Sequence, residues 1–170
     1  MDFNSDGLIE PGIHALKFDE FYDVFVSQFT TSERRQEIFD SLVDFLKSLT
    51  AAYKIQEVWL DGSYVTEKIN PNDIDLVVFF EVEDYIKIKS DWNRIRAHVN
   101  IDPYCEVALN DHTKKHLNEQ TYYYFVNQRN YWRGQFGFDR VDNPKGIIKI
   151  TIQDIEKYFQ GGESHVVGGN

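Results

Sequence analysis

The sequence predicts an α+β fold in which a small mixed β-sheet is flanked by helices. Apolar residues recur at three- and four-residue steps from Phe18 to Phe29 and again from Ile38 to Leu49, which is the period of amphipathic helices. Two short runs rich in strand-forming residues follow, EVWLDG and DIDLVVFF, and a polar connection ending in the turn sequence NPN separates them. Helices first and paired strands afterwards are typical of an α+β fold.

The remaining elements follow from the same signals. Residues 1 to 16, which glycine and proline interrupt, are expected to be irregular. Thr30 and Glu33 fit a capping box for the second helix. Further predictions are a helix over residues 83 to 98, a strand PYCEVAL from Pro103, a helix from Thr113 to Trp132, a turn or hairpin leading into the strand GIIKITI, and a short helix near Asp154 to Phe159.

The chain of 170 residues is interpreted as one domain over residues 1 to 160, followed by a flexible glycine-rich tail over residues 161 to 170. The net charge of −10 argues against indiscriminate binding to nucleic acid or to an anionic membrane, although a specific nucleic-acid partner stays open. A single cysteine, Cys105, and the lack of a signal-peptide pattern predict a cytoplasmic protein with no membrane association.

Charge is unevenly distributed along the chain. Residues 112 to 150 carry seven lysines and arginines against three acidic residues, whereas the rest of the chain is strongly acidic. This arrangement suits an anionic ligand held next to carboxylates, and an ordinary solvated surface explains it equally well.

Two aspartates, Asp73 and Asp75, stand at the start of the most apolar run of the sequence. Residues two apart on a strand point to the same face, so these carboxylates are expected to project together, opposite to Ile74 and Leu76. Two carboxylates this close raise each other's pKa unless a cation lies between them. Oxygen ligands of this kind suit Mg²⁺, with Mn²⁺ as an alternative. Upstream, Gly62 ends a strand and allows backbone to approach a phosphate closely, while Ser63 adds a hydroxyl donor.

Gly-Ser followed after nine residues by Asp-Ile-Asp, on adjacent strands, resembles the signature of the nucleotidyltransferase superfamily typified by DNA polymerase beta. The chain is most similar to its small one-domain bacterial members, the minimal nucleotidyltransferases, over residues 55 to 110. The resemblance implies a metal-dependent enzyme that moves a nucleoside monophosphate from a nucleoside triphosphate, ATP first among the candidates, to a hydroxyl acceptor, for example on a protein partner. It also implies roles for Asp73 and Asp75 as metal ligands and for Gly62 and Ser63 as phosphate-binding residues.

Members of this superfamily complete the site with a third carboxylate from a neighbouring strand. Asp102 and Glu106 share the required parity, and we predict Glu106 as a catalytic and metal-binding residue because Asp102 precedes Pro103 and fits a turn. Lys145, in the turn sequence DNPKG, is the candidate nucleotide-binding cation.

Three other interpretations compete with this one. Gly-Ser also fits an ordinary turn, with Asp73 capping or hydrogen-bonding the Asn-Pro-Asn turn and Asp75 paired with an arginine. The fold could persist without the chemistry, as a nucleotide- or protein-binding module such as a toxin–antitoxin component. Finally, His112 and His116 lie four residues apart in HTKKH, but no third ligand is evident there and we do not predict a zinc site.

Overall fold

A computed structural model describes residues 1 to 161 of the chain and contains one five-stranded sheet. The strands are β1 (Gly12–Ala15), β2 (Ile55–Asp61), β3 (Ile74–Phe80), β4 (Ile101–Val107) and β5 (Gly146–Thr151). They lie in the order β1-β5-β2-β3-β4. Strand β2 runs antiparallel to both of its neighbours, whereas β3 with β4 and β1 with β5 are parallel. The sheet is therefore mixed, and the predicted α+β class is confirmed.

Seven α-helices surround the sheet within the described range. They are α1 (Phe18–Tyr22), α2 (Arg35–Ala52), α3 (Val82–Lys89), α4 (Trp92–Ile95), α5 (Asp111–His116), α6 (Glu119–Phe136) and α7 (Ile152–Gly161). One turn of π-helix, Asp23–Ser27, continues α1, and a 3₁₀ turn, Ser63–Val65, follows β2. In residues 1 to 161, no helix combines the length and the apolar composition needed to cross a membrane.

The alternation of side chains along β3 divides the protein into two layers of core. Ile74, Leu76 and Val78 are fully buried in the main core, which is built with residues of α1, α2 and α7. Val77 and Phe79 face the other side and pack in a smaller cluster with Phe136 of α6. Because Asp73 and Asp75 have the parity of Val77, the aspartates belong to the α6 face of the sheet.

Several local expectations differ from the structure. Residues 12 to 15 form the edge strand β1 instead of irregular chain, since β5 supplies the hydrogen-bonding partner that the local sequence does not reveal. The capping box at Thr30 and Glu33 is wrong, because α2 begins at Arg35 and the Ser32 hydroxyl accepts from the amides of Arg34 and Arg35.

The predicted helix from Thr113 to Trp132 is two helices. Leu117 has extended backbone and ends α5, and Asn118 then caps α6 by accepting from the amide of Thr121. The predicted helix over residues 83 to 98 is likewise divided into α3 and α4. Of the predicted tail, Gly161 lies in α7, and residues 162 to 170 lie outside the described residues.

Candidate functional site

One end of the sheet gathers the polar residues that the sequence singles out. Strand β2 ends there at Asp61, antiparallel β3 starts there just after Asp73, and β4 starts there because it runs parallel to β3. Lys145 immediately precedes β5 and arrives at the same end, since β5 is antiparallel to β2. The antiparallel turn from β2 to β3 therefore brings Gly62 and Ser63 next to the aspartate pair.

Gly62 has a backbone conformation that few other residues could adopt. Its φ is +79°, in the region that favours glycine, and a β-carbon at this position would overlap the carboxylate of Asp75. Glycine thus fulfils two requirements at once, a turn out of β2 and a close approach of backbone to the carboxylate. Ser63 follows at the start of the 3₁₀ turn and lines the adjoining cleft.

The third carboxylate next to the aspartate pair is Asp102. In the parallel pairing of β3 with β4, Asp75 lies directly opposite Asp102 and therefore points to the same face. The Asp102 carboxylate accepts hydrogen bonds from Arg96 Nη2 at 3.0 Å and from the Tyr104 hydroxyl at 2.7 Å. Pro103 does not place Asp102 in a turn, because β4 already begins at Ile101.

The preference for Glu106 is corrected by the register of the same two strands. Glu106 lies opposite Phe79, four residues further along the sheet than Asp102. It is buried and accepts a hydrogen bond from Trp132 Nε1 of α6 at 3.0 Å. Parity along β4 left both residues as candidates, and only the pairing register, which the sequence does not encode locally, distinguishes them.

The electrostatics of Asp75 fit a site for a cation. Burial raises the pKa of Asp75, and the neighbouring carboxylates of Asp73 and Asp102 raise it further, while Lys145 and Arg140 lower it. Asp73 is exposed and Asp75 is half-buried, so both carboxylates are within reach of the cleft that they line. Carboxylate oxygens are the ligands that Mg²⁺ prefers, although in residues 1 to 161 those of Asp73, Asp75 and Asp102 do not form a group of three ligand atoms within 4.8 Å of one another.

Lys145 forms a buried ion pair with Asp61. Its Nζ lies 2.8 Å from Asp61 Oδ1 and 3.5 Å from the carbonyl oxygen of Gly62. Burial raises the pKa of Asp61 to about 6, although Lys145 and the backbone of Gly62 act in the opposite direction. Lys145 therefore lines the cleft, as predicted for a nucleotide-binding cation, but its direct partners are Asp61 and Gly62. The role of Asp61 was not recognised in the sequence.

The side chain of Arg35 fixes the backbone of the connection between Ser63 and Asp73. This fully buried guanidinium donates to the carbonyl oxygens of Phe25, Tyr64, Thr66 and Lys68 at 2.7–2.8 Å. The Tyr64 hydroxyl in turn donates to the carbonyl oxygen of Arg35 at 2.8 Å. Arg35 was missed in the sequence, although it falls on the apolar stripe of α2, three and four residues before Ile38 and Phe39, where a charged residue is unusual.

A cleft of about 890 Å³ opens over these groups. One wall consists of residues 61 to 63 and 72 to 75, and the other consists of α6 and the following turn. The second wall contributes Tyr131, Trp132, Phe138 and the exposed Arg140. The turn after α6 also contributes Asp139 and Asp142, so carboxylates lie on both sides of the cleft, while Arg140 and these three aromatic rings belong to the second wall.

Comparisons with known proteins give one match. Searches of curated proteins and of solved structures found no match to this chain. A family model, described only as a family of unknown function (DUF6932), matches residues 1 to 151, a range that includes all five strands and every residue of the cleft. The chain therefore belongs to the DUF6932 family of unknown function.

Proposed function

We propose that the protein is a metal-dependent nucleotidyltransferase that moves a nucleoside monophosphate from a nucleoside triphosphate, ATP first among the candidates, to a hydroxyl acceptor. The observation that supports this most strongly is the meeting of Asp73, Asp75 and Asp102 beside Gly62 and Ser63 at one end of the sheet. In this proposal Asp102 takes the role that we predicted for Glu106 from the sequence.

The carboxylates would hold Mg²⁺, or Mn²⁺ in its place. Asp73 and Asp75 are the proposed ligands, and Asp102 is the candidate for a second metal position. A bound divalent cation would offset the repulsion that raises the pKa of Asp75 and would supply charge stabilisation at the transferred phosphate.

Residues of both cleft walls have proposed roles in binding the triphosphate. Gly62 leaves room for phosphate oxygens to approach the backbone, and the Ser63 hydroxyl can donate to them. Arg140 and Lys145 offer positive charge, with Lys145 also fixing the position of Gly62 through Asp61. The rings of the opposite wall suit stacking with a base.

The transfer itself is a displacement at phosphorus. The acceptor hydroxyl oxygen forms a bond to the α-phosphorus, and the bond from this phosphorus to the bridging oxygen of the β-phosphate breaks. Pyrophosphate leaves with that electron pair, and the hydroxyl proton passes to a carboxylate. Asp102 is the proposed acceptor of this proton, and its hydrogen bonds from Arg96 and Tyr104 hold the carboxylate in position.

A second candidate function is a binding module that has lost the chemistry. Both oxygens of Asp102 already accept hydrogen bonds, and Glu106 is buried against Trp132. A protein that binds a nucleotide or a protein partner without catalysing transfer does not need a free third carboxylate, so it would tolerate these hydrogen bonds to Asp102. A toxin–antitoxin component is one example of a protein with this kind of role.

Isothermal titration with a non-hydrolysable ATP analogue and Mg²⁺ tests the enzymatic proposal. We expect metal-dependent binding to the wild type and a loss of affinity of at least about tenfold in an Asp73→Asn/Asp75→Asn double variant, because neutral amides are poor Mg²⁺ ligands. Glu106→Gln is the matched control and should bind as the wild type does. Circular dichroism verifies that each variant is folded.

Transfer is then measured with each of the four labelled nucleoside triphosphates, by pyrophosphate release and by label incorporated into the protein or an added acceptor. Release that requires Asp102 supports the enzyme. Binding without release, over a range of acceptors, supports the binding module. If no triphosphate binds with Mg²⁺ or with Mn²⁺, both nucleotide-based proposals fail.

A further inference from the structure

A cluster of three metal-binding side chains lies at the end of the sheet opposite to the cleft. Glu83 stands in the first turn of α3, just after β3 ends, and His112 and His116 lie on α5, shortly after β4 ends. Each of the three offers one ligand atom, and these atoms lie within 4.8 Å of one another. Glu83 is thus the third ligand that the HTKKH sequence lacks.

We propose that Glu83, His112 and His116 form a binding site for Zn²⁺ or a similar divalent transition metal ion. Two imidazoles with one carboxylate are a donor set that suits Zn²⁺, and three protein ligands leave a further coordination position for water or another ligand. The proposal is independent of the nucleotidyltransferase assignment, since none of the three residues lines that cleft.

The hydrogen bonds of the cluster orient its histidines for this task. His116 Nδ1 lies 2.8 Å from the backbone carbonyl oxygen of His112. Because a carbonyl oxygen only accepts, Nδ1 carries the proton, and Nε2 of His116 is left with a free lone pair for a metal. A metal-binding histidine whose other nitrogen donates to a carbonyl is a frequent arrangement in metal sites.

The remaining two ligands already contact each other. His112 Nε2 lies 2.8 Å from Glu83 Oε1, and the ring centroids of His112 and His116 are 3.8 Å apart. A metal ion would displace the proton shared by His112 and Glu83 to solvent and bridge the same two groups.

The site opens onto a second cavity of about 980 Å³, to whose walls Glu83 and His112 both contribute. A ligand in this cavity could therefore reach the free coordination position. The ion would also connect α3 to α5, the helices that follow β3 and β4, and would fix the two segments relative to each other.

Titration with Zn²⁺ tests the proposal. To keep metal out of the cleft, it is performed on the full chain with excess Mg²⁺ and again in the Asp73→Asn/Asp75→Asn variant. We expect one bound Zn²⁺ per chain, and a loss of affinity of at least about tenfold in His116→Ala and in Glu83→Gln, because each removes one of three ligands. His98→Ala, which removes an exposed histidine outside the cluster, should bind as its parent does.

Co²⁺ provides a second measurement, since the visible spectrum of bound Co²⁺ reports nitrogen ligation. The spectrum expected for the parent should be lost in His116→Ala and retained in His98→Ala. Absence of Zn²⁺ binding, or affinity that is unchanged in both His116→Ala and Glu83→Gln, overturns the proposal. All three ligands are exposed, so their substitution is not expected to unfold the chain.

Discussion

Two clusters of charged groups at opposite ends of the sheet differ in their burial. At the cleft end, Asp61 and Lys145 are buried as a pair, and Arg35 is enclosed among backbone carbonyls. At the other end, Glu83 and the two histidines are exposed and form hydrogen bonds with one another and with nearby backbone. The cleft end is therefore positioned by packing, whereas the exposed end is positioned by the spacing of residues along short helices. Stability and function should consequently be coupled at the first end and separable at the second.

The largest expected effect is that of Arg35→Met. The variant leaves four carbonyl oxygens without their donor, two of them in buried and two in partly buried hydrogen bonds, and we expect it to lower the free energy of unfolding by about 3 to 5 kcal/mol. Urea denaturation measures the loss. Arg34→Met is the matched control and should cost less than about 1 kcal/mol, because Arg34 is only half-buried and pairs with the exposed Glu37. Its other acceptors, the Asn72 carbonyl and the Asn100 side chain, belong to residues that are not fully buried, so water can take the place of the arginine there. Equal losses of unfolding free energy in the two variants would contradict the idea that Arg35 stabilises the connection from Tyr64 to Lys68.

Gly62→Ala should have the next largest effect. The positive φ of Gly62 strains any L-residue, and the added methyl group must displace the Asp75 carboxylate, so we expect a loss of about 1 to 3 kcal/mol. Nucleotide binding with Mg²⁺ should be lost in the same variant. Gly134→Ala is the control, because its β-carbon meets open space within a helix, and a gain of up to about 1 kcal/mol is expected there. Full retention of binding by Gly62→Ala would argue against a role for Asp75.

Glu106→Gln should change the pH dependence of stability. Burial raises the pKa of Glu106, and the hydrogen bond from Trp132 offsets part of the effect. The folded protein then holds this proton more tightly than the unfolded chain, so the contribution of Glu106 to stability decreases as the pH rises above its ordinary value of 4.5. Glutamine keeps an acceptor for Trp132 and cannot ionise. The stability of the variant relative to the wild type should therefore increase with pH.

Glu83→Gln serves as the control of opposite sign in the same denaturation series, between about pH 4 and pH 8. The hydrogen bond from His112 lowers the pKa of Glu83, so its contribution to stability is present above the ordinary pKa and is lost as the pH falls. Relative to the wild type, this variant should become less stable as the pH rises, and by a small amount because Glu83 is exposed. Parallel trends in the two variants would contradict these assignments.

The smallest effect is expected for His116→Ala in metal-free protein. The side chain is exposed, and its removal should change the free energy of unfolding by no more than about 0.5 kcal/mol. Thermal denaturation with and without Zn²⁺ then distinguishes the effect of His116 on the stability of the metal-free protein from its effect on Zn²⁺ binding. Added Zn²⁺ should raise the melting temperature of the wild type and not that of the variant. A large loss without metal would mean that packing positions this end of the sheet too.

The sequence predicts most of the sheet because its signals are local. The run ending at Phe80 is almost continuously apolar and the run ending at Asp61 contains the apolar triplet VWL, as expected of strands with two covered faces. Gly62 stands where a turn out of β2 requires it. Edge strand β1 was missed, since four residues with little apolar pattern become a strand only through pairing with β5.

The site was predicted in part for the same reason. Asp73 and Asp75 follow from strand parity, a property of neighbouring residues. The choice between Asp102 and Glu106 depends on how β4 is aligned with β3 across about twenty intervening residues, and no local pattern sets that alignment. Arg35 and Glu83 act on segments far away in sequence, so their partners become apparent only in the folded chain.

The burial of Arg35 has a consequence for how the cleft opens. The backbone from Tyr64 to Lys68 gives three carbonyl oxygens to a side chain that belongs to α2, so this connection cannot detach while the helix stays docked. Hydrogen exchange should therefore report the amides of this connection and those of the first turns of α2 as one cooperative opening unit, slower than other connections of similar exposure. This surface connection would then open only as often as the core on which it is packed.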